Sequence, residues 1–208
     1  GAFEEYQQAF NYSNNTHHKA AIAHALATMA QQHYKDIQTA MAYLQQSVRY
    51  DGTNREAVAM LADMYFEANQ FELALSAYKT LLGLEPGNAD CYSNIGYILW
   101  QMDQNEAAID AYLTAIQYNG NNHIAYNNLG VIYLDDMTQP QKALGLFESA
   151  LNLKPDYTLA CFNMGRALEQ MGQPVQAAER YSEALKLNML NPELSQEEIE
   201  TRLQRLFG

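Results

Sequence analysis

Small and apolar residues recur along the chain at a nearly constant spacing. One series of small residues is Thr28, Ala62, Gly96, Gly130 and Gly165, with steps of 34, 34, 34 and 35 residues. A second series consists of Ala40, Ala74, Ala108, Ala143 and Ala177. Apolar or small residues follow each of these alanines after four and after seven positions, which is the spacing of one face of an α-helix. The pattern predicts a helix in the second half of every repeat.

The first half of each repeat carries a helical stripe of its own, for example at positions 92, 95, 96 and 99. Pro86 and Pro155 end the second helix, and Gly52 and Gly120 stand at the equivalent places. Each unit is therefore predicted to be two helices joined by a short turn. The small residues let the two helices approach closely, and Tyr112 or its equivalent fills the space opposite. One such pair cannot bury both of its faces, so the pairs must stack.

These residues resemble the consensus of the tetratricopeptide repeat, a family with a period of about 34 residues. The resemblance is carried by Tyr92, Ile95, Gly96 and Leu99 followed by Ala108, Tyr112 and Ala115, and by the equivalent residues of the next repeat. It covers nearly the whole chain. It implies an all-α solenoid, a right-handed superhelix of stacked antiparallel helix pairs that acts as a scaffold and not as an enzyme.

The period divides the chain into five repeats, at 21–54, 55–88, 89–122, 123–157 and 158–191. The first is degenerate, because His24, Ala27 and Thr28 stand where an aromatic residue, a leucine and a glycine are expected. The single 35-residue step places one extra residue in the turn around positions 135–141. We interpret it as a loop insertion, with a contact point for a ligand as the alternative.

The two ends of the chain differ from the middle. Residues 2–14 match the second helix of a partial repeat, so we expect the chain to be a fragment of a longer array; a dedicated first cap is the alternative. Residues 193–207 are predicted to form a capping helix that opens with a capping box between Ser195 and Glu198. The apolar side chains Phe3, Tyr6 and Phe10 of the first helix are expected to be exposed.

The charge of the chain limits its partners. It has 12 basic and 24 acidic residues, a net charge of −12, and no lysine or arginine between Lys79 and Lys142. Such a segment would repel nucleic-acid phosphates and anionic membrane surfaces, so we predict protein or peptide partners that are neutral or basic, and no nucleic acid. No apolar run approaches the roughly 20 residues of a membrane-spanning helix, so we also predict no direct membrane insertion.

We find no catalytic, cofactor or metal motif, and we predict that the chain is not an enzyme and has no cofactor. Ser76 and Lys79 fit a Ser-x-x-Lys pattern, but they lie within a repeat helix beside the core residue Tyr78. The histidines near the start lack the spacing of a tetrahedral metal site. Cys91 and Cys161 lie two repeats apart and are predicted to be buried thiols, which is compatible with a reducing compartment and favours the cytoplasm.

In peptide-binding members of the family, the first helices line a concave groove, and asparagines there grip the main chain of an extended ligand. Asn94, Asn128 and Asn163 stand at the matching position, two residues before the repeat glycines. A primary amide both donates and accepts, so it pairs with any peptide group. The resemblance thus implies a peptide-binding site at Asn94, Tyr97, Trp100, Asn127, Asn128, Asn163 and Arg166. Asparagine is common at this position whatever the function, and packing of Trp100 against the next repeat is the alternative to ligand binding.

Two functions remain open from the sequence. The first is a protein–protein interaction scaffold that binds a peptide segment of a partner in the concave groove. The second is a structural module that forms homo-oligomers through the N-terminal half repeat.

Overall fold

The computed structural model describes residues 1–206, in which it contains twelve α-helices and no strand. Position 207 of the predicted capping helix lies outside the described residues. The expectation of an all-α helical-repeat fold is confirmed. The helices are α1 (Ala2–Tyr12), α2 (Thr16–His33), α3 (Ile37–Tyr50), α4 (Arg55–Glu67), α5 (Phe71–Leu84), α6 (Ala89–Gln101), α7 (Asn105–Tyr118), α8 (His123–Asp135), α9 (Pro140–Leu153), α10 (Thr158–Gln170), α11 (Pro174–Leu190) and α12 (Gln196–Arg205).

The helices form two compact units, one of residues Gly1–Gly87 and one that begins at Asn88. In the first unit, α2 packs on α3 and α4 packs on α5. Helix α1 lies against this unit, where the rings of Phe3 and Phe10 both meet Tyr43 edge to face. Phe3 and Phe10 are therefore half-buried, contrary to the expectation that they are exposed, whereas Tyr6 is 40% exposed.

In the second unit, three helix pairs follow one another: α6 with α7, α8 with α9, and α10 with α11. The second helix of each of the first two pairs packs on the first helix of the next pair, and α6, α8 and α10 also contact one another in order. Helix α12 packs on α11 and buries Ile199 completely. Ser195 precedes α12 as predicted, but its side chain makes no cap hydrogen bond, so the predicted capping box is wrong.

Each of the three helix pairs of the second unit is held close by a glycine that faces an aromatic ring. The ring of Phe147 lies so near Gly130 that an added Cβ would be 2.6 Å from it, and Tyr181 is equally close to Gly165. At Gly96 the nearest ring atoms, those of Tyr112, would lie 3.0 Å from the added Cβ. These rings are fully buried. The glycines are thus required for the close approach of the two helices and not for an unusual backbone angle.

Side-chain caps and turn residues set the ends of the helices. The side chains of Asn54, Asn88 and Asn122 each accept a hydrogen bond from the backbone N–H three residues later, which fixes the start of the first helix of a pair. The turn 136–139 has four residues, whereas the turns 102–104 and 171–173 have three. The extra residue of the 35-residue step therefore lies in this turn, where Thr138 adopts a φ of +51°.

Candidate functional site

The predicted site residues all lie in the second unit, on α6, α8 and α10. Tyr97 and Trp100 lie one turn apart on α6, Asn127 and Asn128 are adjacent on α8, and Asn163 lies one turn before Arg166 on α10. Asn94 is half-buried on α6, one turn before Tyr97. Because these three helices contact one another in order, the candidate site is the face that they share.

A chain of hydrogen bonds joins four of the predicted residues. Asn127 Nδ2 donates to Asn128 Oδ1 over 3.1 Å, and Asn163 Nδ2 donates to Asn127 Oδ1 over 3.0 Å. Arg166 Nη1 donates to Asn163 Oδ1 over 3.2 Å, and Arg166 Nη2 forms an ion pair of 2.6 Å with Asp135 Oδ1. We call these five residues the asparagine–arginine chain. It links α8 to α10 along the site.

The asparagines of this chain differ in their access to a ligand. Asn127 is 3% and Asn163 is 6% exposed, whereas Asn128 is half-buried. The side chain of Arg166 is 21% exposed, and both of its terminal nitrogens are engaged by the chain. Asn127 and Asn163 thus hold the face together, while Asn128 is the most accessible asparagine of the asparagine–arginine chain.

The second group of the site is aromatic. The rings of Tyr97 and Trp100 meet edge to face with centroids 6.2 Å apart. Trp100 Nε1 donates a hydrogen bond of 2.9 Å to Asp136 Oδ2, and Asp136 follows the last residue of α8. Both rings are half-buried, so each keeps an accessible part. Asp135 and Asp136 are adjacent, and they therefore connect the aromatic group with the asparagine–arginine chain.

Asp135 and Asp136 were not among the predicted site residues. The only sequence signal for them is the 35-residue step, which marks the turn that follows α8. Ser93, on the same helix as Asn94, is 7% exposed and accepts a hydrogen bond of 2.9 Å from Asn122 Nδ2. It therefore contributes to packing.

Beneath the face lies a buried tyrosine whose hydroxyl has an unusual environment. Tyr112 is fully buried, and among the described residues its hydroxyl is the buried side-chain oxygen without a hydrogen bond of normal geometry. Burial raises the pKa of Tyr112, and the nearby side chain of Asn128 opposes that rise. In Tyr78 and Tyr181, which stand at the equivalent position of other repeats, the hydroxyl donates to Asp63 and Glu169, each over 2.6 Å.

Within residues 1–206, no group of three or more histidine, cysteine, aspartate or glutamate side chains is placed to hold a metal ion. None of the helices in this part of the chain is long and apolar enough to cross a membrane. Cys91 and Cys161 are both free and buried, as predicted.

The fold and the site define a helical-repeat protein with a polar and aromatic face on successive first helices. Sequence models of the family match residues 62–103 and 98–136, described as TPR repeat, and residues 136–196, described as tetratricopeptide repeat. The chain belongs to the tetratricopeptide repeat family. Members of this family are generally scaffolds for other proteins and not enzymes.

Solved structures with this fold include several repeat proteins. A crystal structure of MamA protein is 25% identical, with a TM-score of 0.72, over 88% of this chain and 98% of that one. MamA residues 41 to the end from Desulfovibrio magneticus RS-1 are 17% identical, with a TM-score of 0.73, over 84% of this chain and 97% of that one. YrrB, described as a TPR protein with an unusual peptide-binding site, is 17% identical, with a TM-score of 0.70, over 98% of this chain and 99% of that one. No curated protein gives a significant sequence match to the chain.

Proposed function

We propose that the protein is a non-enzymatic scaffold that binds an extended peptide segment of a partner on the face formed by α6, α8 and α10. The observation that carries the proposal is the continuous row of polar and aromatic side chains from Trp100 through Asp136 and Asp135 to Arg166 and Asn163. YrrB shows that this fold can carry a peptide-binding site, while its 17% identity extends the likeness to the fold alone.

The asparagine–arginine chain supports a particular mode of binding. Because Asn163 Nδ2 already donates to Asn127 Oδ1, this hydrogen bond fixes the spacing of α8 and α10 before a ligand arrives. Binding to a face that is already ordered loses less conformational entropy than binding to a mobile one. Asn128, at the end of the asparagine–arginine chain, would then pair with a peptide group of the ligand.

The charge of the face argues against one kind of ligand. The only cation among the predicted site residues, Arg166, is paired with Asp135 at 2.6 Å. A C-terminal carboxylate would have to displace this ion pair and would meet the neighbouring Asp136. The ligand is therefore an internal segment, neutral or basic, and not a free carboxyl terminus.

Peptide display on the immobilised protein, followed by calorimetry of the selected peptides, tests the proposal. Asn128→Ala should weaken the selected peptides about tenfold, the loss expected for a hydrogen bond worth about 1.4 kcal/mol. Gln117→Ala, on the exposed surface of α7, is the control and should leave the affinity unchanged. Asn163→Ala is unsuitable, because removing a buried side chain would also disturb the fold. Peptides that bind Asn128→Ala and Trp100→Ala as tightly as the parent protein would contradict the proposal.

Self-association through the N-terminal half repeat is the second candidate function. Its support is the surface of α1, where Tyr6 is 40% and Tyr12 is 83% exposed, although Phe3 and Phe10 pack against the protein's own tyrosines. Light scattering after gel filtration tests it. A dimer that dissociates in Tyr6→Ser and Tyr12→Ser would support this function, and a monomer at tens of micromolar would contradict it.

A further inference from the structure

The contact between Trp100 and Asp136 is peculiar to one place in the repeat array. At the positions equivalent to Trp100, four residues after the repeat glycine, the next two repeats have Leu134 and Glu169. At the positions equivalent to Asp136, the neighbouring repeats have Met102 and Met171. The neighbouring repeats therefore cannot form an equivalent of the hydrogen bond of 2.9 Å between the indole and the carboxylate.

The negative charge of Asp136 has no ion-pair partner among the described residues, although its neighbour Asp135 has one. The basic residues Arg166 of α10 and Lys142 of α9 have other partners: Arg166 pairs with Asp135, and Lys142 Nζ lies 3.7 Å from the ring centroid of Tyr133. The sequence contains no lysine or arginine from position 80 to position 141. Within residues 1–206, a carboxylate on the site thus carries a charge that no ion pair neutralises.

The indole beside this carboxylate is held in a fixed orientation. The indole Nε1 of Trp100 donates a hydrogen bond to Asp136, and the rings of Tyr97 and Trp100 pack edge to face. Tryptophan attracts a cation to its ring face more strongly than the other aromatic side chains do. A ring face next to an unpaired carboxylate offers both parts of a binding site for a guanidinium group, which stacks on aromatic rings and donates two parallel hydrogen bonds to a carboxylate.

We propose that Trp100, Tyr97 and Asp136 form a subsite for an arginine side chain of the bound partner. The aliphatic stem of the arginine lies along the indole, and its guanidinium group reaches Asp136. The inference rests on the proposed function, since the subsite lies on the face that binds the peptide, and it names the side chain that this part of the face selects. The protein would thus select a basic ligand through a specific contact, and not only through its net negative charge.

Trp100 is the only tryptophan, so its fluorescence reports binding at the subsite directly. The probes are the pentapeptide acetyl-Gly-Gly-Arg-Gly-Gly-amide and its citrulline counterpart, which has nearly the same shape but no charge. We expect the arginine peptide to change the fluorescence saturably at millimolar concentration, and the citrulline peptide to bind at least about fivefold more weakly. Equal binding of the two peptides would overturn the proposal.

Asp136→Asn separates charge from structure at this site. An asparagine oxygen can still accept the hydrogen bond from Trp100, so the ring keeps its orientation while the negative charge is removed. We expect this variant to weaken the arginine peptide about fivefold and to leave the citrulline peptide unchanged. Asp110→Asn, on the exposed surface of α7, is the matched control and should change neither.

The same probes distinguish failure of the subsite from failure of the proposed function. If peptides selected by display lose affinity for Asn128→Ala but not when their arginines are replaced by citrulline, the face binds peptides and the arginine subsite is wrong. If the arginine pentapeptide binds as expected while display-selected peptides ignore Asn128→Ala, the subsite is right and the extended mode of binding is wrong.

Discussion

The side-chain amide of Asn163 donates a hydrogen bond of 3.0 Å to the side-chain oxygen of Asn127, one repeat earlier, and both residues are buried. Arg166 in turn donates to Asn163 Oδ1. A buried amide that loses its partner keeps the full cost of having been removed from water. The two asparagines therefore act together as a polar link between α8 and α10.

This link predicts that Asn163→Ala destabilises the protein. The substitution leaves the oxygen of Asn127 without its donor and removes an acceptor from Arg166, so the free energy of unfolding should fall by about 1–3 kcal/mol. Urea unfolding followed by circular dichroism measures the change. Asn152→Ala, at an exposed position of α9, is the control and should stay within about 0.5 kcal/mol of the parent protein. Equal stability of the two variants would show that the link contributes nothing.

The asparagines of the asparagine–arginine chain show where sequence-based prediction of the site stops. Asn128 and Asn163 occupy equivalent positions, so the sequence indicates equal roles for them. In the structure Asn163 is buried against Asn127, while Asn128 is half-buried at the end of the asparagine–arginine chain. The hydrogen-bonded residues Asn127 and Asn163 are 36 positions apart, whereas Gly130 and Gly165 are 35 apart, so the contact between α8 and α10 is offset by one residue from equivalent positions. The period contains no information about this offset.

The helical-repeat fold was predictable because the repeats carry the same pattern of small and apolar residues. Gly96 and Tyr112 are 16 positions apart, as are Gly165 and Tyr181, and the structure brings both pairs into contact. The role of Asp136 was not predictable in this way. It depends on a single extra residue in one turn and on a contact with a tryptophan that occurs once, so no repetition reveals it.

The glycines that face aromatic rings are predicted to tolerate alanine poorly. Gly130→Ala would place a Cβ 2.6 Å from the buried ring of Phe147 and should lower the free energy of unfolding by about 1–3 kcal/mol. Gly145→Ala is the matched control within α9, because an added Cβ there meets nothing within 4 Å. It should raise the free energy of unfolding by about 0.5–1 kcal/mol, since alanine favours the helix more than glycine does. Thermal unfolding of both variants measures the opposite shifts, and shifts of the same sign would refute the packing argument.

Removing the hydroxyl of a core tyrosine should have a different effect at each repeat. Tyr181→Phe loses a hydrogen bond of 2.6 Å to the carboxylate of Glu169 and should lower the free energy of unfolding by about 1.5–3 kcal/mol. Tyr112→Phe loses no such bond and should be neutral or slightly stabilising, because a buried hydroxyl without a well-formed hydrogen bond costs free energy. Both variants keep the ring that fills the space between the helices. Urea unfolding at neutral pH distinguishes them, and a comparable loss in both would mean that the Tyr112 hydroxyl does have a strong partner.

Alkaline pH should destabilise the protein through its buried tyrosines. Burial is the main cause that raises the pKa of Tyr112 and Tyr181, and it raises the pKa of Tyr157 to about 12. Below the ordinary tyrosine pKa of 10.0 these phenols are protonated in both the folded and the unfolded chain, so their contribution to stability is fully present. Above it the unfolded chain loses its protons first and is favoured, and the contribution is lost progressively as the pH rises towards and through the folded pKa values.

The measurement is the free energy of unfolding at pH 8 and at pH 11 for the parent protein and for Tyr112→Phe. Phenylalanine cannot ionise, so Tyr112→Phe should lose less stability between the two pH values than the parent protein does. The net negative charge of the protein also grows between these pH values, because exposed tyrosines and lysines lose protons, and the added repulsion affects every variant. Tyr12→Phe, which removes a phenol that is 83% exposed, controls for that repulsion and should follow the parent protein. If Tyr112→Phe lost as much stability between the two pH values as the parent protein, burial of this phenol would not be a source of the alkaline instability.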